Sequence, residues 1–148
     1  AEAIAAIGAR KVELEELLRL ADLVSLHLPL SAATRHIINA ERLAMMKPDA
    51  LIVNTSRGGL IDLSALAAAL REGKIGGAGL DVFEKEPPDR NDPLLRLPNV
   101  IVSPHSGFYS AGSIFDLHSR QAKQVAAALE GRRPDNLLNP TVLEKTKG

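Results

Sequence analysis

Four short, nearly continuous apolar runs constrain this chain more than any other feature. They are DLVSLHL at 22–28, ALIV at 50–53, the glycine-rich IGGAGLDV at 75–82, and NVIV at 99–102. Runs of this kind predict strands covered on both faces, as in a parallel sheet with helices packed against it. Helical patterns lie between them. Residues 12–18 lead into Ala21 behind an acidic first turn, and residues 40–46 form a short helix stopped by Pro48. Asp62 stands as an N-cap before the stripe Leu63, Leu66, Ala67 and Leu70, with Gly73 at the position of a C′ glycine. A last, longer helix starts with capping-box-like spacing at Ser113 and Asp116. It presents Ile114, Leu117, Ala122, Val125 and Leu129 as its buried face and ends at Gly131. Strand and helix alternate in the βαβ rhythm, so the predicted fold class is α/β with a doubly wound parallel sheet.

Composition narrows the function. A chain of 148 residues that is 45% hydrophobic can bury a core. The 18 Lys+Arg and 18 Asp+Glu cancel, which argues against nucleic acid as the main partner. With no cysteine there is no disulfide, no thiol nucleophile and no thiolate metal site. No apolar run approaches the ~20 residues of a membrane span, and no signal peptide is visible, so no membrane partner and a cytoplasmic location are expected. The chain opens on Ala1, and its methionines, Met45 and Met46, are internal. The proline-punctuated stretch 84–98 reads as a surface loop. Beyond Gly131 the chain turns into a polar tail, so residues 1–131 are expected to form one domain and 132–148 an appendage.

In an open α/β sheet, ligands bind beyond the carboxyl ends of the strands. His27 and Pro29 follow the first run. Asn54, Thr55, Ser56, Arg57, Gly58 and Gly59 follow the second. Asp81 ends the third, with Glu86 five residues on, and Ser103, Pro104, His105 and Ser106 follow the fourth. One parallel sheet brings a cation, two carboxylates and an imidazole to one edge, an acid/base constellation. Each member also has a structural reading. Arg57 could sit at a surface Gly-Gly turn, Asp81 could cap a turn, Glu86 could be one charge of a solvated run, and His105 could be a turn residue. His27 reads as buried at a strand end, and His36 and His118 as structural. Gly76, Gly77 and Gly79 lie inside a strand pattern, where close packing explains them better than a phosphate cradle.

Taken together, the strings DLVSLHLPL from Asp22, ALIVNTSRGGLID from Ala50, GLDVFEKEP from Gly79 and LPNVIVSPH from Leu97 closely resemble the D-isomer-specific 2-hydroxyacid dehydrogenases. Four motifs in order and at the family's spacing cover about residues 12–140. The resemblance implies a Rossmann-type NAD-binding domain, a 2-hydroxy or 2-oxo acid substrate, NAD as cofactor and a homodimer. It implies Arg57, Glu86 and His105 as the catalytic residues. It also implies that Asp81 contacts the nicotinamide carboxamide, that His27, Pro29, Thr55 and Ser56 line the cofactor along with Arg57 and His105, and that Gly107 lies near the ring. In that chemistry an imidazolium donates a proton to the carbonyl oxygen, Glu86 favours the charged ring and fixes its tautomer, and Arg57 holds the substrate carboxylate.

Two departures qualify the resemblance. No G-x-G-x-x-G occurs in the chain. In the family that fingerprint lies just upstream of residues resembling 1–11. The resemblance therefore implies the carboxyl half of a dehydrogenase, without the first two strands and most of the substrate domain, inactive as an isolated piece. The tail around Asn139 and Pro140 would return to that substrate domain. After His105, the string Ser106-Gly107-Phe108-Tyr109-Ser110 is similar to the C-terminal-binding-protein subgroup and to phosphoglycerate-dehydrogenase-like relatives. That similarity keeps an alternative open, an NADH-sensing, corepressor-like binding protein. Phe108 and Tyr109 could equally just pack the start of the last helix.

Overall fold

A computed structural model describes Ile4 and residues 6–142. The chain divides into two compact units, Ala1–Gly107 and Phe108–Gly148. In the first, helix α1 (Leu14–Leu20) precedes strand β1 (Leu23–Leu26). Helix α2 (Ala40–Leu43), strand β2 (Leu51–Asn54), helix α3 (Leu63–Arg71), strand β3 (Gly77–Leu80) and strand β4 (Val100–Val102) follow. All four expected strands form, and they make one parallel sheet in the order β1-β2-β3-β4.

Local chemistry sets the element ends. The Asp62 carboxylate accepts from the backbone N–H groups of Ser64 and Ala65 at 3.0 Å each, satisfying donors that the first turn of α3 leaves open. Gly73 follows α3 at φ +66°, the left-handed conformation that glycine adopts without a Cβ penalty. Asn39 caps α2 in the same way as Asp62, accepting from the Arg42 N–H at 3.0 Å.

The expectation of strands buried on both faces is corrected. The register aligns Val24, Ile52, Ala78 and Val100 in one row and Leu26, Asn54, Leu80 and Val102 in another, on the side where the core lies. The opposite side carries Leu23, Leu51 and Ile101, which are 55%, 44% and 78% exposed. The strand order explains this. When parallel strands follow one another in sequence order, right-handed crossovers deliver every connecting helix to the same face. The residues described here wind in one direction only.

The second unit contains helix α4 (Ala111–Leu129). Its N-cap is Ser110, whose Oγ accepts from the Ser113 N–H at 3.1 Å, so the cap lies three residues before the one expected. Gly131 ends the helix at φ +70°, as expected. The expected buried face does not bury. Leu117, Val125 and Leu129 are 44%, 59% and 84% exposed, because a single helix within its own unit has no second element to cover its stripe. Phe108 and Tyr109 meet edge to face, with ring centroids 5.9 Å apart. No helix of the described residues is long and apolar enough to cross a membrane.

Candidate active site

The site begins where β2 ends. Asn54 is fully buried there. Its Oδ1 accepts from the Ser56 N–H at 3.1 Å, and its Nδ2 donates to the Arg57 carbonyl at 2.9 Å. The Ser56 hydroxyl donates to the Leu26 carbonyl at the end of β1, at 2.7 Å. Next comes a 3₁₀ turn, Gly58–Leu60. A Cβ on Gly58 would overlap the backbone of Phe83 and Glu84, so only glycine lets the Arg57 turn rest on the chain leaving β3. The Arg57 guanidinium donates Nη1–H to the Ser56 carbonyl at 2.6 Å. It has no ion-pair partner among the described residues.

The second arm is built on Asp81, one residue past β3 and 4% exposed. Its N–H donates to the Asn54 carbonyl at 3.0 Å. Its Oδ1 accepts from the Ser103 hydroxyl at 2.6 Å and the Ser106 N–H at 2.8 Å, and its Oδ2 accepts from the Gly107 N–H at 2.8 Å. Burial pushes the Asp81 carboxyl up. The Ser103 hydroxyl, the N–H groups of Ser106 and Gly107 and the nearby His105 outweigh that and hold it below the ordinary range. These bonds grip the chain on both sides of His105, which sits at φ +54°, a left-handed conformation uncommon outside glycine.

Glu86 completes the arm. Its Oε1 accepts from the Phe83 N–H at 2.9 Å, and its Oε2 lies 2.7 Å from His105 Nδ1. The His105 hydrogen bond, then the Phe83 N–H, hold the Glu86 carboxyl below its ordinary range against the opposing effect of burial. An ionised carboxylate can only accept, so the Nδ1 proton belongs to the imidazole.

Arg57, Glu86 and His105 line one cleft of about 250 Å³. An adjoining, mostly apolar cavity of about 440 Å³ shares Glu86 and His105 with it. On the other side of Arg57, His27, Pro29, Thr55 and Ser56 line a third space of about 560 Å³. Gly107 joins these groups, since a Cβ there would lie 3.0 Å from Asp81 Oδ2 and 3.8 Å from the Thr55 Cβ. The four strand ends thus bring the expected residues to one edge. His27 differs from its expectation. It is exposed, with Nε2 2.8 Å from the Ser25 hydroxyl, because it lies past the last residue of β1 rather than inside the strand.

Sequence reasoning misses two features. Asn54 reads there as one more polar residue after a strand, although an Asn two residues before a turn amide is the local sign of an Asx turn. His36 and Arg35 both meet Glu84 Oε1, at 2.6 and 3.1 Å, from 48 and 49 positions away, a pairing with no local signal.

Residues 1–107 match the family model of the D-isomer specific 2-hydroxyacid dehydrogenase NAD binding domain. A glyoxylate reductase of Thermococcus litoralis is 45% identical over 142 residues, covering 96% of this chain and 43% of that protein. The crystal structure of the TT0316 protein from Thermus thermophilus superposes with a TM-score of 0.83 at 44% identity, covering 86% of this chain and 40% of that one. A D-lactate dehydrogenase from Aquifex aeolicus, complexed with NAD and lactic acid, gives 0.81 at 35% identity, covering 88% of this chain and 44% of that one. The chain spans less than half the length of these relatives. With four parallel strands, the strand-end motifs and the family match in agreement, the chain belongs to the NAD-binding domain family of the D-isomer-specific 2-hydroxyacid dehydrogenases.

Proposed function

We propose that this chain supplies the proton-transfer and carboxylate-binding half of an NAD-dependent oxidoreductase acting on a D-2-hydroxy acid and its 2-oxo acid. The observation that carries the reading is the meeting of Arg57 with the hydrogen-bonded Glu86–His105 pair in one cleft. The residues suit the nicotinamide end of a dinucleotide. Asp81 Oδ2 accepts one hydrogen bond and keeps acceptor capacity for a carboxamide N–H, and Gly107 leaves that approach without a side chain. A bound nicotinamide supplies or takes up the hydride.

The protein's own residues do the rest. Arg57, with no carboxylate partner among the described residues, offers a planar fork of donors to a substrate carboxylate. His105 gives a proton from Nε2 to the carbonyl oxygen in reduction and takes it back in oxidation. Glu86 stays ionised through the neutral range and compensates the imidazolium charge. Thr55, Ser56, His27 and Pro29 border the neighbouring space and are the candidates for cofactor contacts there.

The test is turnover of NADH by the full-length gene product that carries this chain, with glyoxylate, pyruvate and hydroxypyruvate as first substrates. His105→Gln is expected to lower kcat by ~10²–10⁴. Absence of turnover with every 2-oxo acid tried would overturn the reading.

A further inference from the structure

We infer that Asn54 is a positioning residue for Arg57, acting through both ends of its side-chain amide; the inference rests on the substrate-holding role of Arg57 proposed above. Arg57 lacks an ion-pair partner among the described residues, and its guanidinium hydrogen-bonds there to the carbonyl of the preceding Ser56. No carboxylate among those residues pairs with the head group, and the contact that holds it is the Ser56 carbonyl, part of the same turn. The backbone of that turn is set by Asn54. The amide oxygen takes the Ser56 N–H at 3.1 Å, and the amide nitrogen gives to the Arg57 carbonyl at 2.9 Å. Both groups are needed, an acceptor and a donor on one short side chain, and asparagine has them.

The placement of Asn54 makes this brace stiff. The residue is fully buried in the sheet, in register with Leu26 and Leu80. Its own carbonyl accepts from the Asp81 N–H at 3.0 Å, which ties the Arg57 turn to the carboxylate under His105. The Ser56 hydroxyl anchors the same turn to the Leu26 carbonyl. A buried asparagine that only satisfied backbone groups would affect stability. One that aims Arg57 affects recognition of the substrate carboxylate.

Asn54→Asp separates the two. The new carboxyl keeps an acceptor for the Ser56 N–H. When ionised it faces the Arg57 carbonyl with a second acceptor, and when protonated it can donate there. In the full-length gene product at neutral pH, KM for the 2-oxo acid is expected to rise about 10–100-fold relative to wild type, the scale of one lost hydrogen bond between Arg57 and the charged substrate carboxylate. The ratio of the two KM values is expected to fall as pH is lowered and the carboxyl protonates. Oxamate binding in the presence of NADH, by calorimetry, is expected to weaken in parallel without any turnover. Asn54→Ser can hold the Ser56 N–H but does not reach the Arg57 carbonyl. It is expected to raise KM with no recovery in acid, and it serves if the Asp variant fails to fold. Folded variants with lower thermal stability but unchanged KM and oxamate affinity would overturn the inference. Arg57→Ala is the control. If it raises KM while both Asn54 variants leave it alone, this inference falls and the role of Arg57 stands. If Arg57→Ala leaves KM unchanged, the substrate-holding role falls first and the inference with it.

Discussion

His105 combines a useful side chain with an unfavourable backbone. At φ +54° a non-glycine residue is held rather than relaxed, and Asp81 is what holds it, through Ser103 on one side and Ser106 and Gly107 on the other. Asp81→Asn puts an NH₂ group where one of these donors points. It is expected to lower unfolding free energy by ~1–3 kcal/mol and to reduce kcat, measured by chemical denaturation and turnover. The same carboxylate makes a pH prediction. Its pKa is lowered on folding, so its stabilisation is complete above the ordinary carboxylate range and drains away as pH falls through the folded value. Glu86 acts in the same direction. The folded protein should therefore lose stability on acidification below the ordinary aspartate value of about 3.9, and Asp81→Asn should flatten that loss. Which residues follow each strand was legible in the sequence because the apolar runs mark where the strands end. The two-sided grip on His105 was not, since Asp81 and Ser106 are 25 positions apart.

At the scale of elements, the turn after β2 and the chain after β3 are in backbone contact at Gly58, and Phe83 just beyond donates to Glu86. Gly58→Ala forces this contact apart, because the overlap is with backbone rather than a flexible side-chain tip. The expected result is a stability loss of ~1–3 kcal/mol and a displaced Glu86. A drop in kcat and a shifted pH–rate profile should accompany the lower melting temperature. An unchanged pH–rate profile would mean that Phe83 moves without carrying Glu86. Helix α3 was the most legible of the helices, as Asp62 and Gly73 mark it through short-range chemistry alone. In the core beneath, Leu66→Ala on α3 removes a fully buried side chain and should cost about 2–5 kcal/mol by denaturant titration.

For the whole molecule, the sheet carries a covered face and an open one, and β1 has β2 as its one strand partner among the described residues. The 148 residues contain no G-x-G-x-x-G turn to receive a diphosphate. The isolated polypeptide is therefore expected to bind NADH weakly or not at all by calorimetry, and tight binding would show that the nicotinamide end alone suffices. By itself the sequence determined the strands, the Asp62 cap and the family, because apolar periodicity, capping and motif spacing are local properties that act within a few residues. Only the tertiary structure decided which strand face lies open, how Asp81 grips His105, and how Asn54 and Gly58 tie Arg57 to Glu86. Those outcomes depend on strand order and on contacts between residues that are neighbours in the sheet and distant along the chain.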